Sequence, residues 1–216
     1  KKNAAETSAT KTESTKTETT EAEKVRKLAP SLSKAHERIA AQAQAGSTSL
    51  SALGQFKSSL VDLATAGKDV AALTATSTTQ SVQGALEKLV ARYNASVAKG
   101  SASAAAGSTT DVGASRALRE LRSAIMSVTG SATSPSLARI GIVQRQDGTL
   151  ALDAKALEKS MAADAAGVTS ALAGIGKAVE NSANDALSTG SRLSSSMASL
   201  GDRVKALQQQ QSAVVA

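Results

Sequence analysis

The sequence predicts a mainly α protein, an elongated helical bundle or coiled coil carrying one small β-hairpin, and three observations predict it. Hydrophobic residues make up 41% of the 216, yet aromatics are only 1%, with one Phe, one Tyr and no Trp. Alanine supplies much of the apolar content, and a chain without large anchors suits helices packing narrow Ala/Leu/Val stripes better than a thick globular core. In the last third, Leu172, Val179, Ala186, Leu193, Leu200, Leu207 and Val214 recur every seven residues, a spacing that keeps one side of a supercoiled helix apolar. Finally, Asp147-Gly148 stands between Ile140 and Ile142 on one side and Leu150 and Leu152 on the other, the strongest short-range signal for a tight hairpin.

In chain order, residues 1–24 read as a disordered low-complexity tail: Lys1 to Glu23 holds Lys, Thr, Glu, Ser and Ala but no bulky apolar residue to offset its ordering entropy. Residues 25–216 form the helical body. Pro30 with Ser31 and Ser33 marks the start of a first helix, which is expected to end near Ala45, before Gly46. From Ser47 to Ala66, Leu50, Leu53, Phe56, Leu60 and Leu63 recur at helical spacing, and Gly67 is the natural C-terminal cap. Val70 to Thr79 is an Ala/Thr/Ser connection. A strong helix follows from Ser81 to about Ala98, with Val82, Leu86, Leu89, Val90, Tyr93 and Val97 on one face. Lys99 to Gly113 reads as a flexible Gly/Ser/Ala/Thr link. The next helix runs from about Ala114 to Thr129, closed by Gly130, and a Ser/Thr/Pro stretch through Pro135 leads to the hairpin near 139–153. Gly148 lets the chain reverse, Asp153 is placed to N-cap a short helix through Leu157 and Met161, and a long C-terminal helix follows from about 165. Its seven-residue row needs cover, either from the Ser47 to Ala66 helix or from a neighbouring subunit. Leu172, Val179, Leu193, Leu200 and Leu207 are the candidate seam. The companion row weakens at Ser182 and Thr189, with Gly190 beside them, so a bend, break or loose packing is expected there.

Catalytic and ligand chemistry find little footing. His36 is the only histidine and there is no cysteine, so it has no partner for metal binding and no identifiable nucleophile to serve. It reads as a helix-surface residue. Asp147 and Asp153 lack the alternating ligands of a calcium loop, Gly174 and Gly176 are too isolated for a phosphate loop, and the serines carry no nucleophile-elbow pattern. The expectation is a non-enzyme with no cofactor and no bound metal. The formal charge is +7, but the five Lys and five Glu of the first 24 residues cancel. Arg116, Arg119 and Arg122 come closest to a cluster, without interleaved aromatics to stack bases, so a solvated basic face is expected and no nucleic-acid partner. No apolar run reaches membrane-spanning length. The chain starts at Lys1 without Met, which leaves a fragment or a removed targeting segment open.

The run Gly141-Ile142, a short polar stretch, Asp147-Gly148-Thr149-Leu150, Leu152-Asp153, a short helix and then Asp164 resembles the C-terminal half of the flagellar hook-associated protein 2 family, the filament-cap family. Tyr93-Asn94 in LVARYNA resembles the "YN" helix end of the same half, and Ser51 to Ala64 is more weakly similar to the family's N-terminal helix. By its own chemistry Tyr93 packs its ring at a helix interface with the hydroxyl at the rim. The resemblance implies a structural protein that leaves the cell through the flagellar type III apparatus. It would form a homo-oligomeric ring at the filament tip, with flagellin and other axial flagellar proteins as partners and no membrane or nucleic acid. It also implies N- and C-terminal helices paired into legs and a helical body that holds the hairpin. Only Val70 to Thr79 stands where the family's large outer β-rich insertion is expected, so the chain reads as a minimal member. The family's glycine-aspartate motif near the N-terminus is replaced by the Lys/Thr/Glu tail, and the C-terminal arm stops soon after Gln208 to Gln211. The rival reading is a cytoplasmic coiled-coil adaptor or flagellar export regulator.

Overall fold

The computed structural model describes residues 30–106, 112–129 and 137–215. The low-complexity tail, Gly130 and the Ser/Thr/Pro stretch through Pro135 lie outside these residues. The described residues form α1 (Pro30–Ala71), α2 (Thr79–Ala106), α3 (Val112–Thr129), β1 (Ile142–Gln144), β2 (Leu150–Leu152), α4 (Ala154–Leu187) and α5 (Arg192–Val215). The protein is mainly α with a two-stranded antiparallel hairpin, in the register Ile142 to Leu152, Val143 to Ala151 and Gln144 to Leu150.

Two helices run through glycines that the sequence suggests as stops. The break at Gly46 and the cap at Gly67 do not occur, because α1 is continuous from Pro30 to Ala71. Glycine inside a helix costs about 1 kcal/mol relative to alanine, and close packing is what these positions gain in return. A Cβ on Gly46 would stand 2.7 Å from a Val204 methyl, and one on Gly67 would stand 2.8 Å from the Gly176 carbonyl oxygen. Likewise the flexible link expected from Lys99 is helical as far as Ala106. Gly100 lies where a Cβ would meet the Phe56 ring at 2.8 Å and Leu118 at 2.9 Å. The Ser49 hydroxyl donates to the Ala106 carbonyl at 2.8 Å, satisfying one of the carbonyls that a helix end leaves without an intrahelical partner.

The described residues divide into two compact units, one within 48–199 and one of 30–47 with 200–215. In the first, α1 and α2 run antiparallel. Lys99 Nζ donates to Gln55 Oε1 at 3.2 Å, the Ser96 hydroxyl to the Ser59 carbonyl at 3.1 Å, and Arg92 pairs with Asp62 at 3.2 Å. Their core stripes are Leu53, Phe56, Leu60 and Leu63 of α1 and Val82, Leu86, Leu89 and Tyr93 of α2, all buried. They join Leu121 and Ile125 of α3, Ile140, Ile142 and Leu150 of the hairpin region, and Leu157, Leu172, Ile175 and Val179 of α4. The α4 helix packs against α3 and α2. It meets the end of α1 at Gly176, where a Cβ would stand 2.5 Å from the Ala71 nitrogen and 2.6 Å from the Gly67 oxygen. This crossing lies just beyond the Ser47 to Ala66 stretch that the sequence offers as the stripe's cover.

Two helices carry the seven-residue row, not one long one. α4 is non-helical at Asp164 (φ −155, ψ 78), where Oδ1 accepts the Gly167 N–H at 2.8 Å and so caps the turn that follows. The chain then breaks between Leu187 and Arg192, and the Ser191 hydroxyl accepts the Ser194 N–H at 3.1 Å to start α5. Leu172, Val179, Ala186 and Leu193 are buried within the first unit. In the second unit Leu200, Leu207 and Val214 are half-buried, and Gly46 approaches Val204 and Leu200. His36 is not a surface residue. It lies on the α1 face that also buries Ala43, and its Nε2 has no hydrogen-bond partner among the described residues.

Candidate functional site

The hairpin is built from residues whose chemistry suits a tight reversal. Arg145 N–H donates to the Thr149 carbonyl at 2.8 Å and Gly148 N–H to the Arg145 carbonyl at 3.0 Å. Gly148 sits at φ +83, in the left-handed region where a side chain costs energy and glycine does not. Asp147 Oδ1 accepts both the Thr149 N–H at 2.9 Å and the Thr149 hydroxyl at 2.6 Å. Those two hydrogen bonds stabilise the charged form and lower the Asp147 pKa from its usual value. At the base, Gly141 has φ +84, its carbonyl accepts the Asp153 N–H at 2.7 Å, and a Cβ there would stand 2.5 Å from the Asp153 oxygen. Asp153 then N-caps α4, accepting the Ala156 N–H at 3.1 Å.

Adjacent residues of α2 hold this unit. Asn94 Nδ2 donates to the Leu150 carbonyl and Asn94 Oδ1 accepts the Leu150 N–H, both at 2.8 Å. One side-chain amide thus satisfies both backbone groups of a residue that is itself buried. Tyr93 is 1% exposed, and burial raises its phenol pKa, opposed by the Arg122 guanidinium beside it. Arg122 also reaches the turn, because a Cβ on Gly148 would fall on its guanidinium. The structure thus brings Tyr93, Asn94, Gly141, Asp147, Gly148, Leu150 and Asp153 to one hairpin-centred locus. Leu172, Val179 and Leu193 are core residues of the same unit, and Leu200 and Leu207 belong to the other.

The sequence reading missed Arg122, which it set among solvated arginines. Nothing local distinguishes Arg122 from Arg119, since only the fold carries it to the turn. Gly67 and Gly176 were missed as a crossing point for the same reason.

Elsewhere, an open cleft of about 300 Å³ lies where α3 begins and the α4–α5 connection passes. Arg116 and Glu120 on its wall pair with each other at 2.5 Å. Among the described residues no group of three or more His, Asp or Glu side chains could hold a metal ion. No helix among them is long and apolar enough to cross a membrane.

A family model described as the flagellar hook-associated protein 2 C-terminus matches residues 59–215. The chain belongs to that family. The matched span includes every residue of the hairpin locus, the α2 residues that hold it and all of α4. Neither a curated protein nor a solved structure matches the chain. Family membership makes this a structural protein of the bacterial flagellum, of the filament-cap family.

Proposed function

We propose that the protein caps the flagellar filament tip and promotes flagellin assembly there. The observation that carries this reading is the family match over residues 59–215, within which Asn94 of α2 holds the hairpin at Leu150. In this reading the protein is exported through the flagellar type III apparatus and acts outside the cell as a homo-oligomer. Flagellin and other axial flagellar proteins are its partners. Half-buried Leu200 and Leu207, together with exposed Leu32, supply apolar surface that helix packing against such partners would cover. The chemistry is multivalent packing, with neither cofactor nor catalysis.

The test is deletion of the gene in the strain that encodes it, followed by measurement of unpolymerised flagellin in the medium and of filaments on cells. Leaked flagellin with loss of filaments is expected. Unchanged filaments and medium would overturn the reading in favour of a cytoplasmic adaptor or export regulator.

A further inference from the structure

Two side chains from helices reach the hairpin: Arg122 of α3 lies over the turn at Gly148, and Asn94 of α2 holds Leu150 on the strand that follows. A Cβ on Gly148 would overlap the Arg122 guanidinium. That group is the far end of a flexible side chain and could swing aside, so overlap alone would cost little. Swinging aside, however, would take it off the turn and away from Tyr93, whose phenol pKa it lowers. We infer that Arg122 is the positioning residue that holds the hairpin turn to α3, and that residue 148 is glycine as much to admit this guanidinium as to accept positive φ.

The inference separates two roles that a glycine usually combines. Asparagine tolerates the left-handed region far better than most residues, so a Gly148→Asn exchange relieves much of the backbone demand while filling the space Arg122 uses. If the turn needs only φ, Gly148→Asn is mild and independent of Arg122. If the turn needs the arginine, Gly148→Asn and Arg122→Ala disable the same contact and their effects do not add.

The experiment uses the full chain as four proteins: parent, Gly148→Asn, Arg122→Ala and the double variant. Amide hydrogen exchange at neutral pH reads the hairpin N–H groups of Arg145, Gly148 and Leu150, with α4 amides as reference. Each single variant is expected to speed hairpin exchange about tenfold, the double variant to be no faster than the worse single, and α4 to be unchanged. Tyr93 is the only tyrosine, so phenol ultraviolet absorbance gives a second, independent readout. Its titration midpoint should move up in Arg122→Ala, and equally in Gly148→Asn although residue 148 carries no charge. Hairpin exchange rates that multiply in the double variant, or a phenol midpoint that Gly148→Asn leaves at the parent value, would overturn the inference.

Discussion

Replacing Asn94 by alanine removes two 2.8 Å hydrogen bonds at once, and the loss can be sized from the groups left behind. A typical hydrogen bond contributes about 0.5–1.5 kcal/mol net, and a buried group left unpaired costs somewhat more. Leu150 is buried, so its N–H and carbonyl gain little from water in return. The expected destabilisation is about 2 kcal/mol, roughly a thirtyfold change in the unfolding equilibrium. With a urea dependence of about 2 kcal/mol per molar for a small domain, the midpoint should fall by about 1 M. Urea titration followed by circular dichroism measures it. Arg92→Ala is the control, two residues earlier on the same helix. It deletes an exposed ion pair with Asp62, of a kind worth about 0–1 kcal/mol. The reasoning fails if Asn94→Ala is no more destabilising than Arg92→Ala.

Glycine-to-alanine exchanges should split by site. Gly176→Ala would press a Cβ against backbone atoms of Ala71 and Gly67 that cannot swing away, lowering the thermal midpoint. Gly54→Ala meets nothing within 4 Å and should stabilise by up to about 1 kcal/mol; calorimetry on both variants checks the sign. Leu172→Ala, at a fully buried site, should cost about 2–5 kcal/mol in urea unfolding, with half-buried Leu207 costing clearly less; equal losses would contradict the burial difference. Because Asp147 has its folded-state pKa lowered, its contribution is present above the unfolded value of about 3.9 and fades as pH falls through that value and below. Asp147→Asn should therefore flatten the decline of thermal midpoint between pH 5 and pH 3, and an unchanged slope would exclude the carboxylate as a source.

Much of the architecture was legible because it rests on local chemistry. The alternation around Asp147-Gly148 and the carboxylate of Asp153 act within a few residues of themselves, so their turn and cap can be read from the string. Apolar spacing along Leu53, Phe56, Leu60 and Leu63 likewise declares a helix face. What could not be read depends on distant segments meeting. Gly46, Gly67 and Gly100 look like punctuation because glycine is a poor helix former, but each lies where another element approaches too closely for a Cβ. His36 looked solvated because nothing in the string says that the Ala43 face of α1 is covered. Arg122 was indistinguishable from its neighbours because only tertiary packing selects the arginine that reaches the turn. Leu172 to Val214 has one period, yet two helices and two units share it. The weak stretch at Ser182, Thr189 and Gly190 marks the break that the chain makes between Leu187 and Arg192, while the division into two units leaves no mark on the heptads.

The pairing of Asn94 with Leu150 has a consequence for association. A two-stranded ribbon presents unpaired peptide groups along its outer edges, and these invite further strands. Here a side-chain amide imitates the peptide group of a third strand and closes β2 at Leu150. On the opposite edge the Leu137 carbonyl accepts the Ile142 N–H at 2.9 Å. At these two points the ribbon's edges are closed by groups from outside it. The chain can then carry β-structure without offering these backbone groups as a template for further strands.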